Sequence, residues 1–341
     1  MELRVDLYSD TQTRPTAAMR AAMADAAVGD EQQGGDPTVN QLCAEVAERL
    51  GQQAALFLPS GTMCNLIGVA THTRPGEAII LDRLGHIARS ETGGAAAVSG
   101  VITDLLDGPR GQFTLEQLAE AMLPGNVYRP LPALVCLEQT HNFAGGTIWP
   151  LERYRAVVDA AHDVGLPVHV DGARLYNAVV ASGVDASTWG GMVESVWVDF
   201  TKGLGAPMGA VLAGSEELIE RARPFKHRFG GAMRQAGFAA AGCLHALHHH
   251  VDRLAEDHAN AQRLAKGLEH LGLTVEEPPD TNILFFAPPA GMGAAAFDAA
   301  LQARGVRVSV LGNRCRAVTH LDVSTDDIDD ALAVMAGVVG A

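Results

Sequence analysis

The chain has 341 residues, 40 acidic against 25 basic side chains, and a formal net charge of −15. That length exceeds one small core, so a large domain with a smaller one beside it is expected, and the acidic excess argues against a nucleic-acid surface or an anionic membrane as partner, since either needs a basic face. Five cysteines (Cys43, Cys64, Cys136, Cys243, Cys315) form no close C-x-x-C pair, and the opening MELRVDLYSD has no signal-like apolar stretch, so no disulfide framework, zinc ribbon, export signal or membrane span is expected and a reducing cytoplasm fits.

Along the chain, short apolar runs alternate with helical periodicity. Strands are predicted at Ala54–Leu58, Ala78–Leu81, Gly100–Thr103, Ala133–Leu137, Pro167–Val170, Ser195–Val198 and Met208–Ala213. Thr114–Met122 reads as a helix capped by Thr114, and Leu151–Val164 as one whose Tyr154, Val157, Val158, Ala161 and Val164 share a face. This alternation predicts an α/β fold with a mainly parallel seven-stranded sheet covered by helices on both faces. Further on, a long helix Phe238–Leu271, a strand Thr281–Phe286, a helix Ala294–Arg304 and strands Val306–Ser309 and Arg316–Leu321 predict a smaller α+β domain. The expected division is an N-terminal arm at residues 1–16, a large domain at 17–244 and a small domain at 245–341.

Ligands of open α/β sheets bind beyond the carboxyl ends of the strands, and three such ends carry chemistry. Ala54–Leu58 runs into Pro59-Ser60-Gly61-Thr62, where a glycine, a helix start and a hydroxyl suit a phosphate monoester; a plain capped helix reads equally well. Pro167–Val170 ends in Asp171-Gly172-Ala173-Arg174, an edge acid with an arginine three residues later, a pattern that a structural salt bridge also gives. Ser195–Val198 leads to Lys202, one of only three lysines; Lys266 is expected on a helix surface and Lys226 lies in the basic stretch Arg221–Arg228. Apolar flanks would push the Lys202 ammonium toward the neutral amine that condenses with an aldehyde, although a turn lysine reaching water is the plain alternative. Together a phosphate cradle, an edge carboxylate and a strand-end amine meet the requirements of pyridoxal 5′-phosphate.

The segments SDTQTRPT, GGDPTVN, LPSGTMCN, GHIARSETGGAAAVSG, LEQTHN, HVDGARLYNA, TKGLGAPMGAVLAGS, GGAMRQAG and RAVTHLDVS span nearly the whole chain, and in them it resembles the threonine aldolase family, fold-type I pyridoxal-phosphate enzymes of the β-eliminating lyase group. The resemblance implies cleavage of an L-β-hydroxy-α-amino acid to glycine and an aldehyde. It implies Lys202 as the Schiff-base lysine, Asp171 facing the pyridine nitrogen, Gly61 and Thr62 at the phosphate, and Arg174 beside the cofactor phenolate and the substrate carboxylate. It also implies His86 stacked on the ring, His141 near the substrate hydroxyl, and Ser9 and Arg316 holding the carboxylate. Arg234, with Lys226 near it, would reach the phosphate of a neighbouring subunit in a homodimer or homotetramer. The proton of the hydroxyl goes to His86, to His141 or to a water between them; a stacking role alone is the other reading of His86. A β-eliminating lyase or a racemase on the same fold, and a catalytically silent cofactor-binding oligomer, are the alternatives.

Other histidines read as structural. His245, His248, His249, His250 and His258 fall on the predicted long helix, and His245 with His249 has the spacing of a metal pair, but no third ligand accompanies them and no catalytic metal is expected. His320 is expected to be a hydrogen-bonded structural residue. Two departures from the family pattern stand in GDEQQGGDP, where Gln33 replaces the usual tyrosine and Gly35 the usual glutamate, and Tyr8 replaces a common arginine. These bear on the substrate side chain and the threo/erythro preference more than on the cofactor chemistry.

Overall fold

A computed structural model describes residues 3–340. Strands β2 (Ala54–Leu58), β3 (Ala78–Asp82), β4 (Ile102–Leu106), β5 (Pro132–Glu138), β6 (Val168–Gly172), β7 (Ser195–Asp199) and β8 (Ala210–Gly214) form one seven-stranded sheet in the order β2-β8-β7-β6-β5-β3-β4. Every pairing is parallel except those of β8, which runs against both neighbours. β3, β6, β7 and β8 are buried along their whole length, as expected of strands covered on both faces. A three-stranded antiparallel sheet, in the order β11-β12-β9, follows from β9 (Ile283–Phe286), β11 (Ser309–Leu311) and β12 (Arg314–Val318). The N-terminal strand β1 (Val5–Asp6) pairs in parallel with β10 (Val306–Arg307), so the arm is stitched to the C-terminal part of the chain.

Local signals act where they were read. Thr114 forms a full capping box with Gln117, and the helix Leu151–Asp163 buries Tyr154, Val157, Val158 and Ala161. Val164, expected on that face, is the exposed C-cap. Three predicted elements are corrected. The long helix is two, Gly237–His249 and Leu254–His270, because buried His250 turns its ring to the Leu204 carbonyl (2.7 Å) and the chain turns there. The strand expected at Gly100–Thr103 starts two residues later, since Gly100 takes a left-handed φ of 67° at the end of the preceding helical turn. The predicted strand Val306–Ser309 is divided between β10, which pairs with the arm, and β11, which pairs with β12.

The helix Gly61–His72 lies unusually close to the sheet. A Cβ on Gly61 would come within 2.3 Å of the Trp197 ring, and one on Gly68 within 2.3 Å of the His169 ring. Gly61 is therefore required by packing, in addition to any role at a phosphate. Gly68→Ala should lower stability by ~1–3 kcal/mol, because the buried His169 ring, held by Ser195 and Asn65, must shift to admit the methyl. Urea unfolding checks this; an unchanged midpoint would mean that the helix can lift off the sheet at no cost.

Candidate active site

The carboxyl ends of the central strands carry a row of functional side chains. Glu138 on β5, Asp171 on β6 and Trp197 on β7 are register partners across the sheet. Asp171 is buried; its Oδ2 accepts from Asn65 Nδ2 (2.7 Å) and its Oδ1 from the Ala173 amide (3.1 Å). Burial, then the nearby Glu138 charge, raises its carboxyl to about 6, with His86 opposing. Glu138 is also buried and accepts from the backbone amides of His86 and Asn142, each at 2.8 Å.

His86 opens the short helix His86–Arg89, and its Nδ1 lies 2.9 Å from Glu91 Oε1. Burial alone would lower its pKa, but the Glu91 hydrogen bond and the surrounding carboxylates raise it. His141 is buried, with Nε2 3.3 Å from Asp82 Oδ1 and 4.0 Å from Glu138 Oε2; the first contact is too poorly aligned and the second too long to be a hydrogen bond. Glu138 and Asp82 raise its pKa against the opposing effect of burial. His86, His141, Asp82, Glu138 and Asp171 line one pocket.

Lys202 follows β7 and is mostly buried, but its surroundings are not apolar as expected. Its ammonium pairs with the Asp199 carboxylate and lies 5.8 Å from the Trp197 ring centre, because Asp199, three residues earlier, turns back toward it. Thr13 Oγ1 donates to the Lys202 carbonyl (2.8 Å), tying the arm to this turn. Arg174 is committed through Nε (2.7 Å) and Nη2 (2.6 Å) to Asp10, leaving only its remaining N–H groups for a ligand. Ser9, buried beside Asp10, caps the turn by accepting from the Thr11 amide (3.2 Å).

Arg316, on β12, is the exception among the buried cations. Its guanidinium donates to Ser309 Oγ (3.1 Å), Asn142 Oδ1 (3.0 Å) and the Tyr8 carbonyl (3.3 Å), all neutral acceptors, and no carboxylate pairs with it among the described residues. Burial, with Arg174 repelling it, lowers its pKa to about 10. A buried guanidinium without a counter-anion suits an anionic ligand.

Lys202, Asp171, Arg174, His86, His141, Ser9 and Arg316 thus come together where arm, large sheet and small sheet meet. Gly61 lies on Trp197 of the same row, whereas Thr62 is exposed at the helix start. Arg234 stands apart: its side chain is 60% exposed and pairs with Asp30 (2.8 Å). Lys226 is buried against Glu31. Gln33 and Gly35 are exposed on the adjoining loop. His320 is structural as expected, with Nε2 2.8 Å from the Asp6 carbonyl. The residues missed from sequence are Asp10, Asn65, Asp82, Glu91, Glu138, Asn142 and Asp199. Most lie inside the quoted motifs, and all are one to five residues from a residue that was singled out.

The site fits pyridoxal phosphate. Asp171 is a buried carboxylate beside a second one, a setting that a protonated pyridine nitrogen would relieve, and Glu91 Oε2 with both His141 ring nitrogens are buried without hydrogen-bond partners. His86, Glu91 and Asp171 offer ligand atoms within 4.8 Å of one another, inside this same site.

A pocket lined by an edge acid and two histidines, with a lysine beside the acid's register partner Trp197 and an unpaired guanidinium joined to it through Asn142, defines a site for a small anionic carbonyl or amine compound. The chain matches the family model for beta-eliminating lyase over residues 6–288. It is 38% identical to the low specificity L-threonine aldolase of Escherichia coli K12, over 96% of this chain and 97% of that protein. It is 39% identical to low-specificity L-threonine aldolase 1 of Arabidopsis thaliana, over 96% and 94%. Threonine aldolase of Leishmania major shares the fold, with a TM-score of 0.85 at 21% identity over 98% of this chain and 100% of that one. The chain belongs to the beta-eliminating lyase family.

The Asp10–Arg174 pair gives a pH-dependent prediction. Burial would raise the Asp10 carboxyl, but Arg174 outweighs it and holds the folded-state pKa well below the unfolded ~3.9. The pair's contribution is therefore complete above that value and is lost as pH falls through and below it. Asp10→Asn should cost ~3–5 kcal/mol at neutral pH by leaving Arg174 buried and unpaired. The gap from wild type in urea unfolding should narrow below pH ~4; a gap independent of pH would show that the ion pair is not its source.

Proposed function

We propose that this chain cleaves L-β-hydroxy-α-amino acids of the threonine type to glycine and an aldehyde, with pyridoxal 5′-phosphate as cofactor. The observation that carries this reading is buried Asp171 sharing a pocket with His86 and His141, with the Lys202 ammonium beside its register partner Trp197 and the unpaired Arg316 guanidinium joined through Asn142 to the pocket residue Glu138. Its relatives' names as threonine aldolases support the same activity.

In this reading Lys202 would be the amine that holds the cofactor, Asp171 would keep its ring nitrogen protonated, and Gly61 and Thr62, at a helix start, would hold its phosphate. When bound, the cofactor supplies an electron-withdrawing ring that weakens the bonds to Cα of an attached amino acid. Arg316 binds the substrate carboxylate, with Ser9 and the uncommitted N–H groups of Arg174 beside it, and so fixes which Cα bond stands in line to break. The β-hydroxyl proton passes to His86 or His141, directly or through a water between them. Asp82, Glu91 and Glu138 stabilise the imidazolium that this transfer creates. Asp199 holds the Lys202 amine in place when it is not engaged.

The assembly that goes with this reading is a cytoplasmic homodimer or homotetramer with shared sites, in which Arg234 reaches a neighbouring subunit's phosphate. The exposure of the Arg234 side chain in the single chain accords with such a reach.

Purified protein incubated with L-threonine, L-allo-threonine and their D-isomers should release glycine and acetaldehyde from the L-forms. Borohydride reduction should fix the cofactor on Lys202 alone, and Lys202→Ala should lose turnover. Label on Lys226 or Lys266, or elimination or racemisation without glycine, would overturn the assignment. Mixed oligomers of Lys202→Ala and Arg234→Ala subunits should regain part of the activity that each lacks alone. Verified mixed oligomers with no recovery would remove Arg234 from the neighbour's site.

A further inference from the structure

Four residues of the helix Gly61–His72, namely Gly61, Asn65, Gly68 and His72, stand at i, i+4, i+7 and i+11, a single stripe. The two glycines bring that stripe onto the rings of Trp197 and His169. Between them the buried side chain of Asn65 enters the row of Glu138, Asp171 and Trp197 and makes four hydrogen-bond contacts.

The directions of these bonds follow from donor chemistry. An indole N–H only donates, so the Asn65 atom 2.7 Å from Trp197 Nε1 is the amide oxygen. Asn65 Nδ2 therefore faces the other way and gives one hydrogen to Glu91 Oε1 (2.6 Å) and one to Asp171 Oδ2 (2.7 Å). The same oxygen lies 3.2 Å from His169 Nε2, so that nitrogen carries the proton and His169 Nδ1 is an acceptor. Ser195 Oγ, 2.8 Å from Nδ1, must then donate to it, and His72 Nε2, 2.8 Å from the same hydroxyl, must donate to Ser195. Burial lowers the pKa of His169 to about 3 and that of His72 to about 4, so both rings are neutral as this scheme requires. Every bond points the same way, from His72 at the far end of the helix toward the two carboxylates. At the near end Glu91 Oε1 also accepts from His86 Nδ1, which leaves Nε2 of a neutral His86 as its free lone pair.

We propose that Asn65 is a positioning residue for the active site: one amide, oriented by the His72–Ser195–His169 relay and Trp197, fixes Asp171 and, through Glu91, the tautomer of His86. This rests on the proposed function, because positioning matters only if the pocket holds pyridoxal phosphate.

The test uses pyridoxal 5′-phosphate itself as the probe. Wild type, Asn65→Ser, Asn65→Asp and Ser195→Ala are titrated with it, following the visible absorbance band and the fraction folded. Asn65→Ser should bind roughly 10- to 100-fold more weakly, since it loses a hydrogen bond to a charged group. Asn65→Asp should bind more weakly still, because it sets a third carboxylate against the other two. Ser195→Ala, at the opposite end of β7 from Lys202, should shift binding by about 2- to 10-fold through the relay alone. In nitrogen-15 histidine spectra of the wild-type holoenzyme, His169 should be neutral with its proton on Nε2. Folded Asn65 and Ser195 variants with wild-type affinity and an unchanged band would overturn the proposal, and so would a His169 protonated on Nδ1. A wild type that takes up no cofactor would instead sink the proposed function, and the positioning role with it.

Discussion

Charge taken out of water has to be met by charge or hydrogen bonds, and that constraint organises this molecule around the carboxyl edge of its sheet. Asp10, Asp82, Glu91, Glu138, Asp171 and Asp199 are all buried there, and each is held by a hydrogen-bond or ion-pair partner, Asp82 by the backbone amides of Leu84 (2.8 Å) and Gly108 (3.1 Å). The partners come from separate parts of the chain. The arm supplies Asp10 to Arg174 and the Tyr8 carbonyl to Arg316; the small sheet supplies Arg316, which also donates to Asn142, the neighbour of His141. The contacts that set up the chemistry therefore also fasten arm, large sheet and small sheet to one another. A change at any of them touches stability and ligand binding together.

The second constraint is steric. A helix carrying β-carbons at positions 61 and 68 could not lie where the helix Gly61–His72 lies, and without that approach Asn65 could not reach Asp171 across the row. The two glycines and the asparagine serve one geometric end. The glycines remove the bulk that would hold the helix off, and the polar residue between them occupies the space gained. Such a stripe contributes little of the apolar burial that normally docks a helix, so its hydrogen bonds must be nearly complete to be tolerated.

Much of this was legible in the sequence because it rests on local signals. Most strands of the large sheet are runs dominated by apolar residues, and Asp171 and Lys202 sit where such runs stop. The partners were not legible, for a physical reason: a hydrogen bond between Asn65 and Asp171, or an ion pair between Asp10 and Arg174, joins positions more than a hundred residues apart and depends on register and helix approach. Asp199 was missed differently. Its place three residues before Lys202 was visible, but an acid at a strand end reads as a turn residue until its side chain is seen to fold back. The break at His250 was hidden because the helical pattern continues through it and only a distant carbonyl, that of Leu204, ends it.

The loop with the least ordinary sequence shows how a substitution can change a surface without changing a backbone. Glu31 pairs with buried Lys226, Asp30 with Arg234, and the Glu31 amide donates to the Arg234 carbonyl (2.9 Å). Asp36, at the other end, caps the next helix through the amides of Thr38 (3.1 Å) and Val39 (3.0 Å). Gln33 lies between these anchors, exposed, with no side-chain hydrogen bond among the described residues. The anchors hold the loop whatever residue 33 is, so the exchange of tyrosine for glutamine there alters only what the loop presents outward. Arg234, clasped to the same loop, also faces outward. Gln33 and Arg234 thus share one outward-facing surface, and neither is among the residues that line the pocket of His86, His141 and Asp171.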